Sequence, residues 1–351
     1  MSAAVEPVVV HHEVDHDGDP ARLTYTFGGA EAVASLRPGS ILETSTLDCF
    51  AGRVRTVNDL VSQVCDPRYF NPQTGPFFIE GAAPGDTLAV HFARIEPREA
   101  QGASTTVPLF GALTATGLTA MLHEPLPEMT WIYGIDRDLR VVRYEARDSD
   151  LRMELPLDPM HGTVGVAPAL GEVRSSLAPG DWGGNMDTPE MRAGVTCYLG
   201  VNVPGALFSF GDGHARQGEG ETCGVAVETA MESIVVVELV KESPTPWPRI
   251  ESDDELMTTG SARPLEDAFR IAHAQMVHWV VDLTGLSVMD AYQLVAQTAR
   301  TPVANVVDTN YTVVAKLAKK YLPGVEAMAG VHSHLRRLAS RYLPPSKGMQ
   351  H

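Results

Sequence analysis

The chain has 351 residues, 44% hydrophobic and 20% charged, enough to bury a sizeable core without disulfide or metal staples. Its 27 Lys and Arg against 44 Asp and Glu leave a net charge of −17. A surface that acidic repels phosphate backbones and anionic bilayers, so neither nucleic acid nor a membrane is an expected partner.

At the N-terminus, Met1 to Asp19 holds no Lys or Arg and so lacks the basic start of a signal peptide. No apolar run approaches the roughly 18 residues that cross a bilayer. The four cysteines, Cys49, Cys65, Cys197 and Cys223, lie far apart without a Cys-x-x-Cys pair. They predict buried thiols rather than a disulfide framework or a zinc ribbon, and the chain reads as cytoplasmic. Up to Lys241, β-branched runs such as Thr87 to Phe92 and Ser233 to Val240 alternate with turn residues. Pro-Gly pairs at Pro38-Gly39, Pro84-Gly85, Pro179-Gly180 and Pro204-Gly205 mark tight turns, because proline presets φ and glycine accepts a positive φ after it. Many short strands so punctuated predict a sandwich or a barrel, in two parts, 1–155 and 156–241.

The remainder, 242–351, reads as a linker and an α+β tail. Three prolines and an acidic cluster make Glu242 to Pro264 a long surface loop. Leu265, Phe269, Ala272, Met276 and Val280 then recur at helical spacing, which predicts an amphipathic helix ending near Gly285. Ser287 with Asp290 starts a second helix running to about Arg300. Val303 to Asp308 is expected as a strand, and Tyr311 to Tyr321 as a weaker helix.

The stretch Gly211 to Glu221 packs an imidazole, three carboxylates and an amide among four glycines. Histidine with carboxylates is a ligand set for a divalent metal, and a polar hairpin loop has the same composition. Upstream lie His161-Gly162-Thr163 and Gly183-Gly184-Asn185-Met186-Asp187, in which His161 reads as a structural histidine or a ligand. Asp48 and Glu80 are acids in apolar settings and face either solvent or a site. Glu228, on the strand after the loop, has the same two readings. No lysine precedes Lys241, and there is neither a phosphate-binding loop nor a Gly-x-Ser-x-Gly elbow. Metal-assisted or acid–base chemistry remains, with cysteine chemistry still open, and the residues favour a small-molecule hydrolase.

Taken in order, Thr46-Leu47-Asp48, Thr74-Gly75-Pro76 to Glu80-Gly81-Ala82 and Pro84-Gly85-Asp86, His161-Gly162-Thr163 to Pro168, Gly183 to Asp187, and Gly211-Asp212-Gly213-His214 to Glu221 resemble the acetamidase/formamidase family. Gly285 to Tyr292 and Val306-Val307-Asp308 extend the resemblance into the tail. It implies a mainly β fold, with a sandwich or jelly-roll-like part and a small β-barrel, an α+β C-terminal segment and a homo-oligomer. It also implies hydrolysis of a small neutral amide such as formamide or acetamide to ammonia and a carboxylate.

On that basis the expected site holds a divalent metal, zinc first, on His214 with carboxylates from Asp48, Asp187 and Asp212. Glu80 or Glu228 would move the water's proton, and His161 would act as a ligand or bind the oxyanion. Gly184, Asn185 and Gln217 are the expected substrate-binding residues. The competing class is a non-catalytic metabolite-binding or cupin-like metal-binding β protein. The only His-x-His spacing, His332-Ser333-His334, lies in the tail, where it is expected to decorate a solvated helix.

Overall fold

The structure, a computed structural model, describes residues 7–14, 18–113 and 124–343. Two large mixed sheets carry most of the chain. The nine-stranded sheet runs from Val9–His12 through Ile41–Thr46, Met231–Val240, Thr87–Pro97, Thr196–Gly200, Arg249–Glu251, Glu255–Ala262 and Tyr311–Ala318 to Val303–Asn305. In the ten-stranded sheet, Phe208–Arg216 is the hub, pairing with Met160–Gly165, Gln73–Ile79 and Val227–Glu228. Long apolar strands such as Met231–Val240 are buried on both faces. The main core joins Leu42, Val90 and Val235 of one sheet to Phe77, Val164 and Phe208 of the other. Neither strand path closes on itself, so the expected small barrel is not found among the described residues.

Two tail expectations are corrected. Tyr311–Ala318 is a strand rather than a helix, because its Thr312, Val313 and Val314 pair in register with Ser261, Gly260 and Thr259. Glu242 to Pro264 holds two strands, and Arg249–Glu251 pairs with Thr196–Gly200, so one sheet runs across position 241.

The first tail helix is Leu265–Thr284, with Gly285 at φ 71 donating its N–H to the Val281 carbonyl. Its buried stripe passes through Ala268, Ala272, Met276 and Val280, while Phe269 is 47% exposed. Small residues are needed on that stripe because the helix lies directly on Gly260, where a Cβ would sit 2.6 Å from the Ala272 nitrogen. Val288–Thr298 follows, its Ser287 hydroxyl accepting from the Asp290 N–H as the sequence predicts. Among the described residues no helix is long and apolar enough to cross a membrane.

The His332 and His334 pair divides. His334 is exposed, but His332 is buried where the helix Val331–Tyr342 packs on the nine-stranded sheet. Its Nδ1 meets Thr196 Oγ1 at 2.8 Å, and that hydroxyl also meets His91 Nδ1 at 3.0 Å. Burial, reinforced by His332, lowers the His91 pKa from 6.5 to about 3. Between those values the unfolded chain binds a proton that the folded chain refuses, so stability falls as pH drops through that window. The thermal midpoint is therefore expected to decline below pH 6.5, and His91→Gln to flatten the decline. Identical pH slopes in the two proteins would remove His91 as a cause.

Candidate active site

The stretch expected as a Gly-rich loop is mostly a strand, Phe208–Arg216, and strand alternation explains its composition. Asp212 and His214 point to one face, while Gly213 points to the other, where a Cβ would lie 2.6 Å from the Thr229 carbonyl. Opposite, His161 pairs with Gly213 and Thr163 with Gly211, which sets Gly162 against Asp212. A Cβ on Gly162 would be 2.6 Å from Asp212 Oδ2 and 2.8 Å from His214 Cε1, and closer still to Asp187 Oδ1. The bare backbone at Gly162 is the floor on which these three side chains converge.

The orientation of His214 follows from its partners. Gln217 uses its amide Nε2 to donate to the Asp187 carbonyl at 2.6 Å and to the Ala304 carbonyl at 3.1 Å. Its Oε1 is then the acceptor for His214 Nδ1–H at 2.9 Å. That leaves His214 Nε2 with no hydrogen-bond partner, 3.4 Å from Asp212 Oδ1 and 3.3 Å from Glu228 Oε1. A neutral imidazole would there turn a lone pair toward carboxylates. Either a proton or a cation must lie between them.

Four acids besides Asp212 close around this point. Glu228, in register with His214, accepts from the Ala226 N–H through Oε1 and leaves Oε2 buried and unpartnered. Asp187, at φ 46, accepts from the Asn185 amide at 2.8 Å through Oδ2 and leaves Oδ1 unpartnered. Glu221 and Asp308 are also buried, and Asn185 ties Asp308 to Asp187 by donating to both. Asn185 itself is fixed by accepting from Asn71 Nδ2 and Thr163 Oγ1.

Burial raises the pKa of Asp187, Glu221 and Glu228 well above the carboxylate range, and neighbouring carboxylates add to the shift. Burial also pushes Asp308 up to about 7. Burial disfavours charge on His214, but Glu228 and Asp212 outweigh it and raise its pKa to about 10. Acids buried this close together are stable only with protons or a cation among them.

The chemistry of the set fits a divalent cation. Asp187, His214 and Glu221 bring ligand atoms within 4.8 Å of one another, and Cys49, Asp212 and Glu228 do the same beside them. Three residues of these two groups, Asp187, His214 and Glu228, each carry an orphaned polar atom: Oδ1, Nε2 and Oε2. Asp212, Glu221, Glu228 and Asp308 of the cluster line a cavity of about 220 Å³ together with mostly apolar side chains.

The model of the acetamidase/formamidase family matches residues 167–310, a span that contains Asp187, Asp212, His214, Glu221, Glu228 and Asp308. Over most of its length the chain is similar to the acetamidase of Yersinia enterocolitica. The TM-score is 0.84 at 38% identity, covering 91% of this chain and 94% of that one. The chain belongs to the acetamidase/formamidase family. An acetamidase from Bacillus halodurans is similar at TM-score 0.78 and 30% identity, over 89% of this chain and 98% of that one. A curated Schizosaccharomyces pombe relative whose name carries the word formamidase aligns at 24% identity over 258 residues. That match covers 59% of this chain and 61% of the relative. The family is one of hydrolases acting on linear amides.

Within this family member the structure gathers Asp187, Asp212, His214 and Glu228 and leaves three expected residues elsewhere. Glu80 is exposed and pairs with Arg37 at 3.2 Å. His161 lies on the opposite face of the sheet from Gly162, against Phe92 and Phe210, with Nδ1 on the Gly211 carbonyl and Nε2 on Ser233. Both its nitrogens are used, and burial lowers its pKa to about 4. Asp48 accepts from the Phe50 and Gly52 N–H groups and shapes a turn; its neighbour Cys49 reaches the cluster instead. Burial pushes the Cys49 thiol well above its ordinary pKa, which argues against a thiolate nucleophile. Asn185 lines the cavity, whereas Gln217 orients His214 and Gly184, at φ 86, lets its strand pass beneath Ala178.

Four contributors had no site role in the sequence reading. Glu221 stood inside a motif already singled out, Cys49 next to one and Asp308 inside a family-like segment, but Asn71 carried no sequence signal. Gly162→Ala is expected to cost at least about a hundredfold in amide hydrolysis, because misplacing such a group by an ångström is enough for that loss. The ammonia assay checks it, and wild-type turnover would show that the floor tolerates a methyl group.

Proposed function

We propose that the protein hydrolyses a neutral carboxamide to ammonia and a carboxylate at the His214 cluster, with a divalent cation, zinc first, as cofactor. The observation that carries this reading is His214 Nε2, held by Gln217 so that its lone pair faces buried carboxylates with no donor to satisfy it. His214, Asp187 and Glu221 would hold the cation, with Asp212 and Cys49 as the adjoining donors. A mixed imidazole, thiol and carboxylate set suits a borderline metal. When bound, such an ion supplies a Lewis acid for a carbonyl oxygen and acidity for a water molecule.

The remaining steps belong to the chain's own residues. Amide hydrolysis needs a base for water, a donor for the departing nitrogen and an oriented carbonyl. Glu228, whose Oε2 is buried and unpartnered, takes the water proton and returns it to nitrogen; burial keeps its proton affinity high enough for both tasks. Asn185 and Asn71 hold the acidic floor in place, and Asn185 also faces the cavity. The segment 156–241 would thus act as the catalytic part of the chain. The homo-oligomer belongs to the same proposal, supported by exposed Val288, Met289 and Tyr292 on one tail helix.

Elemental analysis joined to an amide panel tests the reading. Metal-loaded protein is expected to carry at least one divalent ion per chain and to release ammonia. Protein that binds no ion and releases no ammonia from any amide would overturn it.

A further inference from the structure

Formamide and acetamide have three and four heavy atoms, and the cavity over the cluster measures about 220 Å³. An apolar cavity of about 150 Å³ is enough to hold benzene. The space above the acidic floor therefore accepts a six-carbon group with room left for a carboxamide. Its walls point to the same conclusion. Phe50, Val61, Phe70, Val107, Phe110 and Leu177 line it with the carboxylates, and Phe110 lies over Gly224. No Lys, Arg or His lines the cavity among the described residues, so no basic side chain there would pair with a carboxylate on the acyl group.

Resting on the amidase reading, we infer that the substrate is the primary amide of a medium-length apolar monocarboxylic acid, about five to eight carbons, aliphatic or aromatic. The acyl group occupies the apolar wall and the carboxamide meets the His214 cluster. The reaction is R–CO–NH₂ + H₂O → R–COO⁻ + NH₄⁺: the C–N bond breaks, a C–O bond forms from water, and the water's protons end on nitrogen. Burial of each added methylene strengthens binding of both ground and transition states, so the gain falls in kcat/KM. An acyl group ending in its own carboxylate would bury that charge among apolar side chains without a cation beside it and is rejected.

The test is kcat/KM along formamide, acetamide, butanamide, hexanamide and benzamide, with glutaramate as the charged control. Hexanamide binding to catalytically silent Glu228→Gln protein is measured by calorimetry alongside. The expected result is a rise of about three- to fourfold per methylene from acetamide to hexanamide, with glutaramate below butanamide. Phe110→Ala should lower the hexanamide-to-acetamide ratio several-fold, and so should Leu177→Trp, which narrows a rim position already 38% exposed. Rates that fall steadily from formamide to hexanamide would overturn the inference and leave the amidase reading standing. Hexanamide binding without hydrolysis of any amide would uphold the apolar cavity and overturn the amidase reading.

Discussion

Replacement of His214 by glutamine is expected to lower kcat/KM for amide hydrolysis by about a thousandfold or more and to remove the bound divalent ion. The side chain is fully buried, its Nδ1 is committed to Gln217, and its Nε2 lies 3.4 Å from Asp212 Oδ1 and 3.3 Å from Glu228 Oε1. Glutamine keeps most of the volume and can accept or donate toward Gln217, so the fold should survive. It cannot hold an imidazole lone pair between Asp212 and Glu228. Circular dichroism checks the fold, elemental analysis the ion and ammonia release the rate. Full metal occupancy in the variant would take His214 out of the ligand set.

Glu228→Gln is the second large effect, with an expected loss of about 10²–10⁴ in kcat. It conserves shape and the contact with the Ala226 N–H but removes the group that carries a proton between water and nitrogen. Metal should be retained, because Asp187, His214 and Glu221 form a group without it. That difference separates proton transfer from ligation. A Glu228→Gln protein that loses its metal together with activity would make Glu228 a ligand instead.

Much of the fold was legible from turn chemistry and periodicity. Gly285 ends its helix, Ser287 caps the next, and the Pro-Gly pairs fall between strands. The helix expected at Tyr311 to Tyr321 failed because its β-branched residues answer to a partner strand, Glu255–Ala262, hidden in what reads as a linker. The site was legible in residue type and missed by a step of one. In a strand, neighbours face opposite ways, so His161 turns into the core while the chemically silent Gly162 floors the site. The same shift of one holds at the turn, where Asp48 binds backbone and Cys49 reaches the cluster. Asp308 comes from 121 positions beyond Asp187 and meets it through Asn185, a pairing that only tertiary structure provides.

In the proposed function, buried acids around His214 hold a divalent ion beside an apolar acyl pocket. Anomalous diffraction at the zinc edge, from crystals of zinc-loaded protein, tests it most directly. The predicted result is a peak within bonding distance of His214 Nε2 and of a carboxylate oxygen of Asp187 or Glu221. Diffraction from fully loaded, active crystals with the peak at any other residues would contradict it.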